Sequence, residues 1–188
     1  MRIAMSLFAA RIARSAARLR RDCRGVSVVE FAILLPVMMT LLLGSVEATQ
    51  GIAADRKVEL TAHTLADLST QYTDINDVDM ANILAAGSAI LAPYPTTGLR
   101  EVVSEIAINS QGTGTVVWSD TLGGTALTVG TTVSIPSALA VPNTYLLLAQ
   151  VQYSYNPGYG YVMTGSITLS DQSFMRPRES ASVARTAL

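Results

Sequence analysis

The sequence has one cysteine, Cys23, and one histidine, His63, among 188 residues. An intrachain disulfide, a cysteine-rich zinc site and a multi-histidine metal centre are thereby excluded. Charge is sparse too: 14% of residues are Asp, Glu, Lys or Arg, against 49% hydrophobic. That is the reverse of a disordered chain's composition. There is no glycine period and no charged heptad, so collagen-like and coiled-coil architectures fall away. The glycines follow neither phosphate-loop nor dinucleotide spacing, and there is no nucleophile elbow. The length allows one domain, or one small domain plus an extension.

What is present is unevenly placed. Residues 1–25 hold seven arginines (Arg2, Arg11, Arg14, Arg18, Arg20, Arg21, Arg24) against one acid, Asp22. Residues 26–188 hold six basic and thirteen acidic side chains. At the junction, Val26 to Val46 is apolar with one ionisable side chain, Glu30. As a helix this run is about 30 Å long, the thickness of a bilayer's hydrocarbon core. A buried helix of a soluble protein is usually shorter and punctuated by polar residues. Pro36 and Gly44 are tolerated in membrane helices. The run reads as a single transmembrane helix.

The arginines set its direction. Beyond the run only Arg56 and Lys57 stand among Glu47, Asp55 and Glu59. The positive-inside rule puts the N-terminus in the cytoplasm and residues 47–188 across the membrane. The other strongly apolar stretch, Tyr145 to Val151, is too short to span as a helix. Residues 8–21 have the spacing of a basic amphipathic helix, a pattern shared with organelle transit peptides. Beside a membrane helix, this leader reads as a topology signal and a contact for anionic lipid, not as a nucleic-acid site. Small residues near Ala48 and Ala53-Ala54 keep an ordinary secretory signal open, although both the basic and apolar parts are long for one. Cys23 precedes the apolar run, which argues against a lipoprotein.

A sharper pattern lies at the start of the run: Arg24-Gly25, then Val26-Ser27-Val28-Val29, then Glu30-Phe31. It resembles the class III signal peptides of type IV pilins and pseudopilins, a basic leader ending in glycine with glutamate and an aromatic after four further residues. The wider stretch RGVSVVEFAILLP resembles the TadE/TadG family of the tight-adherence (Flp, type IVb) pilus system. The likeness is strongest over residues 24–71, and ITLSDQSFMRPRESASV near the C-terminus is similar to the same group. The resemblance implies a minor pilin or pseudopilin-like structural subunit in the bacterial inner membrane, its globular part periplasmic, with entry into an extracellular pilus a further step. It implies a prepilin peptidase cutting between Gly25 and Val26, and partnership with other pilin subunits and the assembly machinery through Glu30 and Phe31. It covers both a processed TadE-like and an uncut TadG-like arrangement.

Glu30 is a candidate on physical grounds as well, because a carboxylate in an apolar helix is costly and needs a reason. Cleavage before Val26 would create an α-amino group one helical turn away, able to pair with the Glu30 of a neighbouring subunit. The plain alternative is a glutamate near the cytoplasmic interface that reaches water.

Past the membrane, Val58, Ala62, Leu65, Leu68 and Tyr72 recur at three- and four-residue steps, which extends the helix to about residue 71. Asn76 or Asp77 caps a second helix with Met80, Ile83, Leu84, Gly87, Ile90 and Leu91 as its apolar stripe. Pro93 and Pro95 end it. From Arg100 the period is two, with a hairpin turn at Gln111–Gly114, a loop over 121–143, the strand Tyr145–Tyr155 and a fourth strand at Ser166–Ser170. The fold class is therefore α+β: a long N-terminal transmembrane helix extending into a pilin-like domain with a second helix and a small antiparallel β-sheet. The expected divisions are leader 1–25, transmembrane helix 26–46, helix extension 47–72, globular domain 73–175 and a frayed tail 176–188.

Little in the sequence suggests chemistry. His63 with Asp67 at i+4 has the spacing of a general-base pair, but reads first as a helix-surface histidine. Asp74, Asp77 and Asp79 lack the glycine and distal glutamate of a calcium hand and read as caps and turn residues. Tyr153, Tyr155, Tyr159 and Tyr161 around a Pro-Gly turn read as strand-filling residues, with a sticky or glycan-binding patch as the alternative. No catalytic residue, cofactor, metal or small-molecule substrate is predicted; the chain reads as a non-enzyme. A second function class is a signal-anchored periplasmic binding module, for envelope glycan or a protein partner, that never enters a filament.

Overall fold

The computed structural model describes residues 25–158, 160 and 164–186. Its first element, α1, runs unbroken from Val26 to Thr70. By contacts the chain divides into two units, residues 1–45 and 46–188. In the first, the described residues are those of α1, with Gly25 ahead of it. Pro36 sits inside the helix. The Thr40 hydroxyl donates to the Pro36 carbonyl at 2.8 Å and Ser45 to the Leu42 carbonyl at 2.8 Å. Hydroxyls satisfied on their own backbone are compatible with an apolar solvent.

The second unit is α+β. Its elements after α1 are β1 (Asp74–Ile75), α2 (Asp77–Leu91), β2 (Leu99–Ile108), β3 (Gly114–Leu122), β4 (Thr132–Val133), β5 (Tyr145–Tyr155), β6 (Ile167–Met175) and β7 (Ala184–Arg185). Asn76 caps α2 by accepting from the Val78 and Asp79 N–H groups, each at 2.9 Å. Five strands form an antiparallel sheet in the order β4-β3-β2-β5-β6, and β1 pairs with β7 in parallel.

The helix-facing core holds Val58, Ala62 and Leu65 of α1, Met80, Ile83 and Leu84 of α2, and Leu147, Ala149 and Val151 of β5. These are the helical stripes and one face of the strand that the sequence periodicity selects. Strand β3 carries a bulge: Glu105 stands opposite Trp118 while the next residue, Ile106, stands opposite Val116. The extra residue, Val117, reverses the parity of the strand. Trp118 thus joins the helix-facing core, and Val116 the opposite one.

Three sequence expectations are corrected. The 121–143 segment is more than a loop: it contains β4, and its Leu127, Ile135 and Leu139 cover a second core of Ile106, Ile108, Val116, Leu146 and Leu148. This cover is why both faces of β5 are apolar at its start. The fourth strand extends past Ser170 to Met175. The C-terminal segment is not frayed through residue 186. Val183 is fully buried, and Trp118 Nε1 donates to its carbonyl at 2.8 Å. Arg185 Nε meets Asp120 Oδ2 at 2.7 Å, and its Nη2 meets Asp77 Oδ1 at 2.6 Å. Its Nη1 also donates to the Ile75 carbonyl.

Arg185 is mostly buried and fastens β7, the start of α2 and the end of β3 together. Charge-assisted bonds of this kind are the strong ones. Arg185→Ala should lower unfolding stability by about 2 kcal/mol. It should also raise amide exchange in residues 183–186 before the five-stranded sheet is affected, which hydrogen-exchange mass spectrometry reads directly.

Candidate assembly site

The site residues selected from sequence lie at the start of α1. Gly25 immediately precedes its first residue, Val26. Both are exposed. A Cβ built on Gly25 meets nothing within 4 Å, so the packing of the described residues does not require glycine there. Glu30 and Phe31 are also exposed, Phe31 by 58%. Val26 and Glu30 lie four residues apart, and so share one helix face.

The setting of Glu30 is an uncovered apolar surface. Val28, Ile33, Met38 and Leu41 are each more than half exposed. The most apolar 18-residue window of α1 has none of its residues buried in the chain, and the helix is long and apolar enough to cross a membrane. An apolar patch of this extent is far beyond what a soluble monomer leaves to water. The exposed carboxylate of Glu30 is open to water, a lipid headgroup or a second molecule.

The other residues considered for chemistry are dispersed or engaged. His63 does not face Asp67: its Nδ1 lies 3.1 Å from Ser173 Oγ, while Asp67 pairs with Arg178. Asp77 serves Arg185, and Asp74 accepts from Thr186 Oγ1 at 2.6 Å. Tyr153 and Tyr155 are buried against Tyr94, with ring centroids 6.5 and 5.9 Å away. They fill the core and form no surface patch; Tyr159 and Tyr161 lie outside the described residues.

Sequence reasoning missed the buried carboxylates of β2. Glu101 and Glu105 of β2 share the helix-facing side with Leu99 and Val103, and Glu101 is fully buried. Val183 N–H donates to Glu105 Oε1 at 2.6 Å. Burial pushes the Glu105 carboxyl up, and the bonds from Val183 and Trp118 draw it partly back. Among the described residues Glu101 has no hydrogen-bond partner on either oxygen, and burial raises it from 4.5 to about 7. It lies against Gly87 of α2, where any Cβ would collide with Oε1. The pairing of a glycine in the α2 stripe with an acid on the matching strand face was the available signal. It was obscured because both faces of β2 mix polar and apolar residues.

A carboxyl held above its unfolded value binds its proton more firmly in the folded state. Glu101 therefore contributes stability fully below pH 4.5, and loses that contribution as pH rises through about 7. The Glu101→Gln variant cannot ionise. Its stability relative to the natural chain should improve between pH 4 and pH 8, by at most roughly 3 kcal/mol. Paired denaturant titrations at the two pH values check this, and a constant difference would contradict it.

Comparison with known proteins bears on the same segment. No curated protein and no solved structure matches the chain. A family model described as TadE-like protein matches residues 25–67. The match begins at Gly25, takes in Glu30 and the uncovered apolar run, and ends within the part of α1 that packs on the sheet. Over residues 25–67, the chain carries the TadE-like family's sequence pattern.

Proposed function

We propose that the protein is a membrane-anchored structural subunit of a Tad (Flp, type IVb) pilus assembly, of the minor pilin or pseudopilin kind, and not a catalyst. One observation carries the reading. The only ionisable residue of an otherwise apolar and uncovered helical run, Glu30, stands five residues after a glycine that the described packing does not need, inside the TadE-like match. In this reading Val26–Val46 spans the inner membrane with the arginine-rich leader in the cytoplasm, and the α+β unit lies in the periplasm.

Prepilin peptidase cuts after Gly25, and the new Val26 amine of one subunit meets the Glu30 of the next. Both charges are costly in a low-dielectric setting and are offset only by each other. The pair therefore fixes the axial register between neighbouring helices, and Phe31 packs beside it. Self-pairing within one helix is the competing use of the same two groups. Bundling favours the partner because a pair between helices also brings their apolar faces together.

The N-terminal residue of the mature protein tests the processing step: Val26 is expected, whereas Met1 would mark an uncut anchor and a start near residues 49–55 a secreted product. Gly25→Leu should leave a full-length, membrane-bound precursor. For the pairing step, Glu30→Leu should insert at least as well as the natural chain yet fail to co-purify with other pilus subunits. Glu30→Asp should be impaired less. Normal co-purification of Glu30→Leu would leave Glu30 as an interfacial residue only.

A further inference from the structure

The outer face of the five-stranded sheet is covered over only part of its extent. Where the second core lies, the 121–143 segment closes it. Toward the other end, two cross-strand rows stay open: Arg100–Gln152–Ser170 and Val102–Gln150–Gln172. They floor a hollow of about 590 Å³. The hollow has a wall that the sequence builds with two glycines. Gly123 has φ +69°, and a Cβ there would lie 2.5 Å from the Leu99 carbonyl oxygen. A Cβ on Gly124 would lie 3.1 Å from Thr121 Oγ1 and 3.5 Å from Arg100 Cβ. The chain thus crosses closely over the start of β2 and brings Thr125 into the lining.

The lining is rich in unused hydrogen-bonding capacity. The Arg100 side chain has no ion pair or hydrogen bond within the described residues. Gln150 Nε2 donates to Gln172 Oε1 at 3.4 Å. That contact leaves Gln150 Oε1 and Gln172 Nε2 unused among the described residues, an acceptor and a donor on neighbouring strands. Asp171 is the one carboxylate of the lining. Strand alternation places it with Ser173, which bonds His63 of α1, and so on the other face from Arg100.

We propose that this hollow binds a carboxylated oligosaccharide, with Arg100 holding the carboxylate and the glutamine amides holding the ring hydroxyls. A guanidinium matches a carboxylate with two parallel bonds. An acceptor–donor pair of side-chain amides matches the vicinal hydroxyls of a sugar, each of which donates and accepts. An extended peptide fits less well. Peptide addition to a sheet uses the free backbone groups of an edge strand, whereas the rows here run from β2 across β5, both paired on two sides, and reach the edge strand β6 only at Ser170 and Gln172. The proposal does not depend on the pilus reading, since the site lies wholly in the α+β unit.

The test uses the whole chain in lipid nanodiscs and calorimetric titration with a short oligogalacturonate. An uncharged oligosaccharide of the same length and a glutamate-rich peptide serve as comparisons. Saturable binding of the uronate is expected, well above either comparison. Arg100→Gln should weaken it about tenfold or more, and so should the double variant Gln150→Ala, Gln172→Ala. Arg176→Gln, which removes an exposed cation outside the hollow, should leave binding unchanged. No saturable binding by the natural chain would overturn the proposal. So would equal loss in Arg100→Gln and Arg176→Gln, which would reduce the effect to net charge. Tighter binding of the peptide would replace the sugar with a protein partner.

Discussion

The constraint on which this chain depends is the uncovered apolar surface of α1 between Val26 and Val46. No other described residue buries its most apolar window, and water cannot solvate such a surface without a large cost. The helix must be met by lipid, by another apolar helix, or by both in turn. That requirement gives Glu30 its interest. In water a glutamate on a helix is ordinary; in an apolar surround it needs a counter-charge. In the proposed processing, cleavage before Val26 would make an amine one turn away on every copy, and pairing between copies would satisfy both groups at once.

The α+β unit meets a different requirement. Helices cover one face of its sheet and the 121–143 segment covers part of the other, so β5 contributes to two cores. The bulge in β3 sends Trp118 to one side and Val116 to the other, and Trp118 then holds the C-terminal segment through the Val183 carbonyl. Arg185 completes the closure. Against this order stands Glu101, a buried carboxyl with no hydrogen-bond partner among the described residues. Its neutral form suits the site, and the missing side chain at Gly87 makes the room. Stability of the unit is thereby tied to pH between about 4.5 and 7.

The parts legible in the sequence were those written in a single strong period. The apolar run, the three- and four-residue steps from Val58 to Leu68, the Asn76 cap and the strand Tyr145–Tyr155 all follow from local pattern. What local pattern could not show was tertiary cover. Leu146 and Leu148 look like the second half of a continuous apolar run until the 121–143 segment is seen to lie over them. Val183 and Arg185 sit in a polar, proline-containing stretch, and their partners Trp118, Asp77 and Asp120 are more than sixty residues away. The buried glutamates alternate with residues no more polar than themselves. At the candidate assembly site the legible part was chemical type and spacing, and Gly25, Val26, Glu30 and Phe31 lie together at an exposed helix start. The partners proposed for them belong to other molecules, which one chain does not contain.

The central claim is that α1 crosses a bilayer and separates the arginine-rich leader from the α+β unit. With Cys23, the single cysteine, replaced by serine, one new thiol at the exposed position Ala181 reports directly on the side that the unit occupies. In spheroplasts with an intact inner membrane, the Ala181→Cys variant should react with a membrane-impermeant maleimide at full yield. Reaction only after that membrane is permeabilised would place the unit in the cytoplasm and contradict the account.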